Sequence, residues 1–419
     1  MADARDVALE VLRRVFTQGA FASAALRSEL GRGSVKASDR GLATEIVYGV
    51  LRRRAFLDAA LAHVSGRRFK DVDPRAHDIL RVAAYQIMYL DRVPAFAAVD
   101  RAVNQAKRRR AHSGFVNAVL RKLADRSPES RLPPAPDHSD PIRRIAFETG
   151  LPTLLTRTLV DDLGLDDARA YGLASLDPAP LTLRVNRLRA TPEDICEEVG
   201  GVRGTLPYAI RLPHANQLPA EFDCVKAGRA TPQDEASMRV VELLAPEPGD
   251  LVLDVCSAPG GKTTHMAERM NDQGKIMAYD RLPSRLARVS DSSNRLGLRS
   301  IETIDILPER APVFDRVLVD APCSGLGTLR RHPELRWKFD PRNLPDLART
   351  QAEVLAEGAE RVRPGGVLVY SVCTVSRLEG PDRLEVFGPD WELEAQFVTG
   401  PHQEGRPDGF FAARLRRVR

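Results

Sequence analysis

From about residue 226 onward, short apolar runs alternate with stretches of helical pattern. The runs are LVLDV at 251–255, KIMAYD at 275–280, VFDRVLVD at 313–320 and GVLVYS at 366–371. Short, mostly unpatterned apolar strands that alternate with helices are typical of a parallel sheet covered by helices on both faces. The pattern therefore predicts an α/β domain over residues 226–419.

The chain before this domain is mostly helical in pattern. In residues 1–126 apolar residues recur at the spacing of an amphipathic helix, as in Ala8, Val11, Leu12, Val15 and Phe16. We therefore expect residues 1–126 to form a compact helical bundle. Residues 127–141 contain five prolines and are expected to be a linker. Residues 142–225, which include the alternating segment LTLRVNR, are expected to form connecting helices and a small α+β module.

Charge is distributed unevenly along the chain. Residues 1–126 carry 24 Lys and Arg against 13 Asp and Glu, a net charge of +11, whereas the remainder carries a net charge of −6. A basic module of this kind is typical of nucleic-acid binding, although a solvated basic surface without a partner fits the charge equally well.

The cysteine content and the apolar pattern narrow the class of protein. There are five cysteines and no CxxC pair, so we expect neither a disulfide framework nor a metal site. No apolar run approaches the roughly 18 residues of a membrane helix, and the first residues lack the pattern of a secretory signal. We expect a cytoplasmic, globular protein without membrane association, and nothing in the pattern demands more than a monomer.

The first segment with chemical content is LDVCSAPGGKTT at 253–264. Gly260 and Gly261 have no Cβ, so the backbone can approach a ligand at the carboxyl edge of the sheet, unless the segment is only a tight turn. A phosphate-binding P-loop is excluded, because that pattern needs glycine where Cys256 stands. Asp280 ends the next strand, where an acid can accept hydrogen bonds from ribose hydroxyls. Asp305 is a candidate for the adenine or ribose side, or an ordinary turn residue.

Two further cysteines follow buried strands. Cys323 lies in VDAPCSG and Cys373 in VYSVCT, each just past the carboxyl end of its strand, where ligands bind in an open α/β sheet. Cys196 and Cys224, by contrast, are interpreted as core residues.

A basic stretch, RRHPELRWK, follows Cys323 at 330–338. Arg330, Arg331 and Lys338 are candidates for holding phosphates, and Trp337 for stacking on a base. The alternative for Trp337 is a packing role.

These motifs together resemble a known family. CSAPGGKTTH, DAPCSGLGTLRRHPELRW, VYSVCT and the DGFF at 408–411 look like the motifs of the RNA 5-methylcytosine methyltransferases, and the RRHP extension is similar to the RsmB (Sun or Fmu) branch, whose substrate is 16S rRNA. The segments DRGLATEIVYGVLRRR and GFVNAVLRKL resemble the NusB domain. The resemblance covers nearly the whole chain and implies a NusB-like helical bundle, a small α+β module and a Rossmann-like S-adenosylmethionine methyltransferase domain.

The resemblance also implies roles for individual residues. The loop that holds S-adenosylmethionine would consist of Cys256, Ser257, Ala258, Pro259, Gly260, Gly261 and Lys262. Asp280 would hold the ribose, Asp305 would lie beside the adenosine, and Asp320 would face both cofactor and target base. Cys373 would be the nucleophile and Cys323 would aid product release.

Three positions depart from the pattern of the family. Val372 stands where threonine usually precedes the nucleophile. Gly380 stands where asparagine often follows the glutamate. Asp305 is flanked by isoleucines rather than by the usual glycines. The first two bear on how Cys373 is positioned, and the third bears on the assignment of Asp305.

The implied chemistry explains why cysteine is needed. Carbon 5 of cytosine is a poor nucleophile, and a thiolate that adds to carbon 6 activates it toward methylation. Asp320 fits the group that hydrogen-bonds N3, and either Cys323 or an ordered water removes the carbon 5 proton. The expected partner is 16S rRNA or the pre-ribosomal small subunit. Two alternatives stay open: a transfer RNA cytosine methyltransferase, and a non-catalytic RNA-binding or antitermination factor.

Overall fold

The computed structural model describes residues 3–32, 36–135, 139–212, 219–309 and 313–419. Parts of the expected linker (136–138) and of the expected small module (213–218) lie outside the described residues. The chain forms two compact units. Unit 1 comprises residues 1–160, 168–177 and 329–339, and unit 2 comprises residues 161–167, 178–328 and 340–419.

Unit 1 is built from helices. They are α1 (Ala4–Gln18), α2 (Ala22–Gly31), α3 (Ala37–Ser65), α4 (Pro74–Tyr89), α5 (Ala95–Arg108), α6 (Ser113–Ala124), α7 (Pro141–Thr149), and most of α8 (Thr153–Leu163) and α9 (Leu165–Ala174), whose residues within 161–167 belong to unit 2. Helix α1 shows how the sequence sets the boundaries: the Asp3 carboxylate caps the N-terminus, and Gly19 ends the helix in the left-handed region with φ 66°. Its apolar stripe, Val11 and Leu12 among others, is buried.

The first part of unit 2 is a small antiparallel sheet. Its strands are β1 (Leu181–Val185), β2 (Val202–Arg203), β3 (Ala209–Leu212) and β4 (Ala230–Pro232), in the order β2-β3-β1-β4. This part of the chain also forms three helices: α10 (Pro192–Val199), α11 (Asp223–Lys226) and α12 (Glu235–Leu244). The sequence pattern placed the end of this module at residue 225. Strand β4 lies beyond that residue but belongs to the module, because it pairs with β1.

The rest of unit 2 is a seven-stranded sheet with helices. The strands are β5 (Leu251–Asp254), β6 (Lys275–Tyr279), β7 (Ile301–Ile304), β8 (Phe314–Asp320), β9 (Val362–Val372), β10 (Trp391–Thr399) and β11 (Phe410–Arg417). The helices are α13 (Gly261–Arg269), α14 (Leu286–Leu296) and α16 (Leu344–Ala359), while α15 (Leu335–Lys338) belongs to unit 1. The strand order is β10-β11-β9-β8-β5-β6-β7.

The direction of the strands determines where a ligand can bind. Strands β5 to β9 are parallel, and β11 pairs antiparallel with both β9 and β10. The order reverses between β5 and β8, and ligands bind at the carboxyl ends of strands beside such a switch point. The fold-class prediction is confirmed, although the sheet is mixed and not purely parallel.

Both faces of this sheet are buried. Val252 and Leu318 pack into a core layer on one face, whereas Leu253 and Val317 pack into a layer on the other. Alternate residues of each strand thus enter opposite layers, which explains why the strands are continuous apolar runs. In the part of the chain that the structure describes, no helix is long and apolar enough to cross a membrane.

Candidate active site

The loop between β5 and α13 begins the site. Gly260 has φ 101°, and a Cβ there would lie 3.1 Å from Val289 Cα, so this position requires glycine. The Gly260 N–H donates to Ser257 O at 2.8 Å, which closes the turn, and Gly261 then starts the helix. At Gly260 the loop therefore presents backbone rather than a side chain at the edge of the sheet.

A cavity of about 160 Å³ opens beside this loop. Its lining residues are Gln233, Ser237, Asp254, Cys256, Ser257, Ala258, Pro259, Gly261, Lys262 and Asp320. The structure thus brings together most of the residues that the sequence assigned to the cofactor. Gln233, Ser237 and Asp254 were missed by sequence reasoning.

Asp280 lies against the same loop. Its carboxylate is buried and accepts hydrogen bonds from the Ala258 N–H at 3.3 Å and the Leu282 N–H at 3.0 Å. The Arg285 guanidinium lies 3.1 Å from it. Asp305 directly follows β7 at the same edge of the sheet but is exposed, and neither it nor Asp280 lines the cavity.

Asp320, at the end of β8, forms an ion pair inside the site. Lys262 Nζ lies 2.7 Å from one carboxylate oxygen, and the Ser371 hydroxyl donates to the other at 2.8 Å. Lys262 also lies 5.2 Å from the centre of the Phe410 ring, a cation–π distance. The pair joins the cofactor loop to the ends of β8 and β9.

Asp254 is a buried acid of the cavity. Burial raises the pKa of its carboxyl to about 7, opposed by the hydrogen bond from Thr263 Oγ1 at 2.7 Å. Among the described residues its Oδ1 has no hydrogen-bond partner. The signal in the sequence is an acid at the end of an otherwise apolar strand, LVLD.

The two cysteines expected at the sheet edge meet. Cys323 Sγ and Cys373 Sγ lie 3.3 Å apart, both thiols are free, and both residues are partly exposed. The hydrogen bond to Cys373 and burial raise the pKa of the Cys323 thiol well above its usual range, with smaller contributions from the charges of Cys373 and Glu379. The raised pKa favours the protonated form of the Cys323 thiol.

The third cysteine at this edge differs from that pair. Burial, and then the neighbouring carboxylates of Asp254, Asp320 and Asp280, raise the pKa of the Cys256 thiol. A thiol in such surroundings is a poor nucleophile, so Cys256 lines the cavity as a small neutral side chain.

Sequence reasoning also missed Arg184, in β1. Its side chain is fully buried and lies 2.8 Å from Glu268. It donates to Gly261 O at 2.7 Å and to Thr264 Oγ1 at 3.1 Å. Arg184 therefore anchors the start of α13, directly after the cofactor loop. An arginine within the apolar strand LTLRV is the only signal in the sequence.

The basic stretch after Cys323 lies in unit 1 and contacts its helices. Trp337 Nε1 donates to Leu51 O at 2.8 Å, and Lys338 Nζ donates to Gly19 O at 2.8 Å. Arg330 is 3% exposed and Arg331 is half-buried. These contacts favour the packing role for Trp337. An RNA contact by Arg330, Arg331, Trp337 and Lys338 stays a prediction.

The chain is similar in sequence to known proteins. Residues 241–416 match the family described as 16S rRNA methyltransferase RsmB/F, and residues 2–125 match the NusB family. The probable ribosomal RNA small subunit methyltransferase B of Bacillus subtilis (strain 168) is 34% identical over 448 residues, covering 99% of this chain and 98% of that protein.

Solved structures show the same fold. The crystal structure of PH0851 has a TM-score of 0.79 at 24% identity and covers 99% of each chain. The structure of NSun6 from Pyrococcus horikoshii with SFG has a TM-score of 0.58 at 21% identity, covering 64% of this chain and 98% of that chain. The resemblance seen in the sequence motifs is thereby confirmed: the chain belongs to the RsmB/F family of 16S rRNA methyltransferases and also carries a NusB-family domain.

Proposed function

We propose that this protein methylates carbon 5 of a cytosine in 16S rRNA with S-adenosylmethionine, through a covalent adduct to Cys373. One observation carries the proposal. Two thiols, from the loops that follow β8 and β9, lie 3.3 Å apart, and Ser371, two residues before Cys373, hydrogen-bonds the Asp320 that lines the cavity. Methylation of a nitrogen or oxygen, which attacks the methyl group through its own lone pair, would need neither thiol.

The residues in and beside the cavity fit S-adenosylmethionine. The ligand is a cationic nucleoside without phosphate, and the site offers two buried acids: Asp254, whose Oδ1 has no partner among the described residues and which lines the cavity, and Asp280, which lies against the same loop outside it. When bound, it supplies an electrophilic methyl group on a sulfonium. Asp254, Asp280 and the backbone of the Gly260 loop are the groups that would hold it.

The cysteine pair supports a division of labour. The Cys373 thiolate forms a bond to carbon 6 of cytosine, which makes carbon 5 nucleophilic. Asp320 is assigned the hydrogen bond to N3, and Lys262, 2.7 Å from its carboxylate, supplies the proton that Asp320 donates there, so that the negative charge developing on the ring is offset. After methylation a base takes the carbon 5 proton, the electron pair re-forms the ring double bond, and the Cys373–carbon 6 bond breaks. Cys323 lies beside the sulfur that must leave and is assigned to this release.

Ribosomal RNA is the proposed substrate for two reasons. The similar protein of Bacillus subtilis is named for the ribosomal RNA small subunit. The NusB-family region is also strongly basic, with a net charge of +11 over residues 1–126, as a surface that contacts phosphates requires.

The test is transfer of labelled methyl from S-adenosylmethionine to unmodified 16S rRNA, to small subunits lacking the modification, and to transfer RNA. Nucleoside analysis identifies the product. Wild type should make 5-methylcytidine in 16S rRNA, Cys373→Ala should make none, and the control Cys196→Ala, altered outside the site, should behave as wild type. Methylation of transfer RNA alone, or no methylation of any RNA, would contradict the proposal.

A further inference from the structure

The site contains one buried acid to which the proposed reaction assigns no role. Glu379 lies between β9 and β10, and its side chain is fully buried. Its Oε1 accepts from the Ser324 N–H at 2.7 Å and from Gln351 Nε2 at 3.1 Å. Its Oε2 accepts from the Ser324 hydroxyl at 2.5 Å and from the Thr374 hydroxyl at 3.1 Å. The four donors satisfy both oxygens of this buried carboxyl group.

The donors place Glu379 between the two cysteine loops. Ser324 directly follows Cys323, and Thr374 directly follows Cys373. The two hydroxyls also lie 3.0 Å from each other. A single carboxylate therefore joins the residues that follow the two thiols, whose sulfurs are 3.3 Å apart.

Backbone contacts hold the same two loops from another side. The Gly327 N–H donates to Cys373 O at 3.0 Å, and the Gly409 N–H donates to Gly327 O at 2.8 Å. A Cβ on Gly327 would lie 1.8 Å from Gly409 O, so the two backbones touch. This contact explains the glycine of the DGFF motif. The contact fixes the backbone of the loops, whereas the side chains of the residues that follow the two thiols are held by Glu379.

We propose that Glu379 is a positioning residue: it clamps Ser324 and Thr374 so that Cys323 and Cys373 stay paired and face one base. The inference rests on the proposed function for its catalytic consequence, whereas the spacing of the thiols is independent of it. Glu379 touches neither the cavity nor the base, so it acts through the loops. Its charge also helps to keep Cys323 in the thiol form, which fits the release role.

The clamp makes a sharp distinction between two substitutions. Glu379→Ala removes all four acceptor contacts. Glu379→Gln keeps the shape and one acceptor oxygen, and its amide can donate to the two hydroxyls, which rotate to accept. Glutamine should therefore preserve the spacing that alanine loses. Loss of positioning on the scale of about 1 Å costs about 100-fold in rate.

The experiment measures methyl transfer and thiol spacing separately. Glu379→Ala should lower kcat about 100-fold with KM for S-adenosylmethionine unchanged, because no cavity residue contacts Glu379. A trivalent aryl arsenical, which bridges two thiols only when they are close, reports spacing without RNA. If the freed loops sample the paired arrangement about a tenth of the time, arsenical affinity falls about tenfold. Glu379→Gln should show a kcat and an arsenical affinity that are both near the wild-type values.

The controls separate the possible outcomes. Glu392→Ala, which removes an exposed acid on β10, should change neither quantity, and Cys373→Ala should lose arsenical binding. Wild-type kcat and arsenical affinity in Glu379→Ala would overturn the clamp, as would equal losses in the alanine and glutamine variants. If Glu379→Ala does not fold, the double variant Ser324→Ala/Thr374→Ala takes its place, because it removes both hydroxyl contacts: unchanged kcat and arsenical affinity there would overturn the inference. If wild type lacks methyl transfer but the arsenical results hold, the proposed function fails and the clamp stands.

Discussion

Replacing Arg184 by methionine should destabilise unit 2 and weaken cofactor binding by separate routes. The substitution leaves Glu268, 2.8 Å away and almost fully buried, without its charged partner. Breaking a buried ion pair in this way costs about 3–5 kcal/mol. In a domain of this size each kcal/mol lowers Tm by roughly 2–4 °C, so we expect a fall of roughly 10 °C.

The pH dependence of the loss follows from Glu268. Burial already raises the pKa of its carboxyl, and the positive charge of Arg184 opposes that rise. Without Arg184 the pKa of the Glu268 carboxyl in the folded state rises further above its value in the unfolded state. The free energy of unfolding then falls as pH rises above the ordinary glutamate value, so the deficit in Tm should be smaller at pH 5 than at pH 8.

A double variant separates stability from cofactor binding. Arg184→Met with Glu268→Leu removes both charges, and replacing a buried pair by apolar side chains is often neutral, so Tm should recover. The hydrogen bond to Gly261 O stays absent, so the Kd for S-adenosylmethionine should stay raised in both variants. Thermal unfolding and calorimetric titration measure the two effects. A single variant with wild-type Tm and Kd, or a double variant as unstable as the single, would refute the reasoning.

Three further predictions concern the cavity and the basic region. Asp254→Asn removes a carboxyl whose pKa lies at about 7, so its free energy of unfolding should decline less than that of wild type between about pH 4 and pH 7; parallel denaturation profiles would contradict this. Asp280→Asn should raise the Kd for S-adenosylmethionine about 10-fold or more, through a weakened charge-assisted hydrogen bond; titration showing an unchanged Kd would remove Asp280 from the site. Replacing the exposed Lys107 and Arg109 by glutamine should make the slope of log binding constant against log salt concentration less steep by roughly 0.7–0.9 for each phosphate contact that is lost. An unchanged slope would mean that this surface does not touch RNA.

The elements that sequence reasoning predicted are those with a strong local pattern. The runs at β5, β6, β8 and β9 are apolar because both faces of the sheet are covered. Strand β10 has mostly exposed side chains and lacks that signal. The antiparallel placement of β11 depends on pairing with β9, some forty residues earlier in the sequence, and no local pattern encodes it.

The same distinction applies to the site. The Gly260 loop and the two cysteines are visible in the sequence because they interrupt apolar runs. Arg184 is not, because a polar residue beside apolar ones usually faces solvent, and Glu379 is visible only as the glutamate of the family pattern, without its contacts. Their burial depends on distant partners: Glu268 is 84 residues from Arg184, and Ser324 is 55 residues from Glu379. Trp337 shows that a local pattern can leave two roles open: its basic context fits stacking on a base as well as packing, and its indole N–H donates to Leu51 O.

The most direct test of the account is to identify the atom that attacks the base. Cys323→Ala, incubated with S-adenosylmethionine and unmodified 16S rRNA, should accumulate a protein–RNA adduct that survives denaturing electrophoresis. After digestion, mass spectrometry should find the methylated cytidine attached to the peptide that contains Cys373. An adduct on Cys256, or methylated RNA from Cys323→Ala/Cys373→Ala, would contradict the central claim.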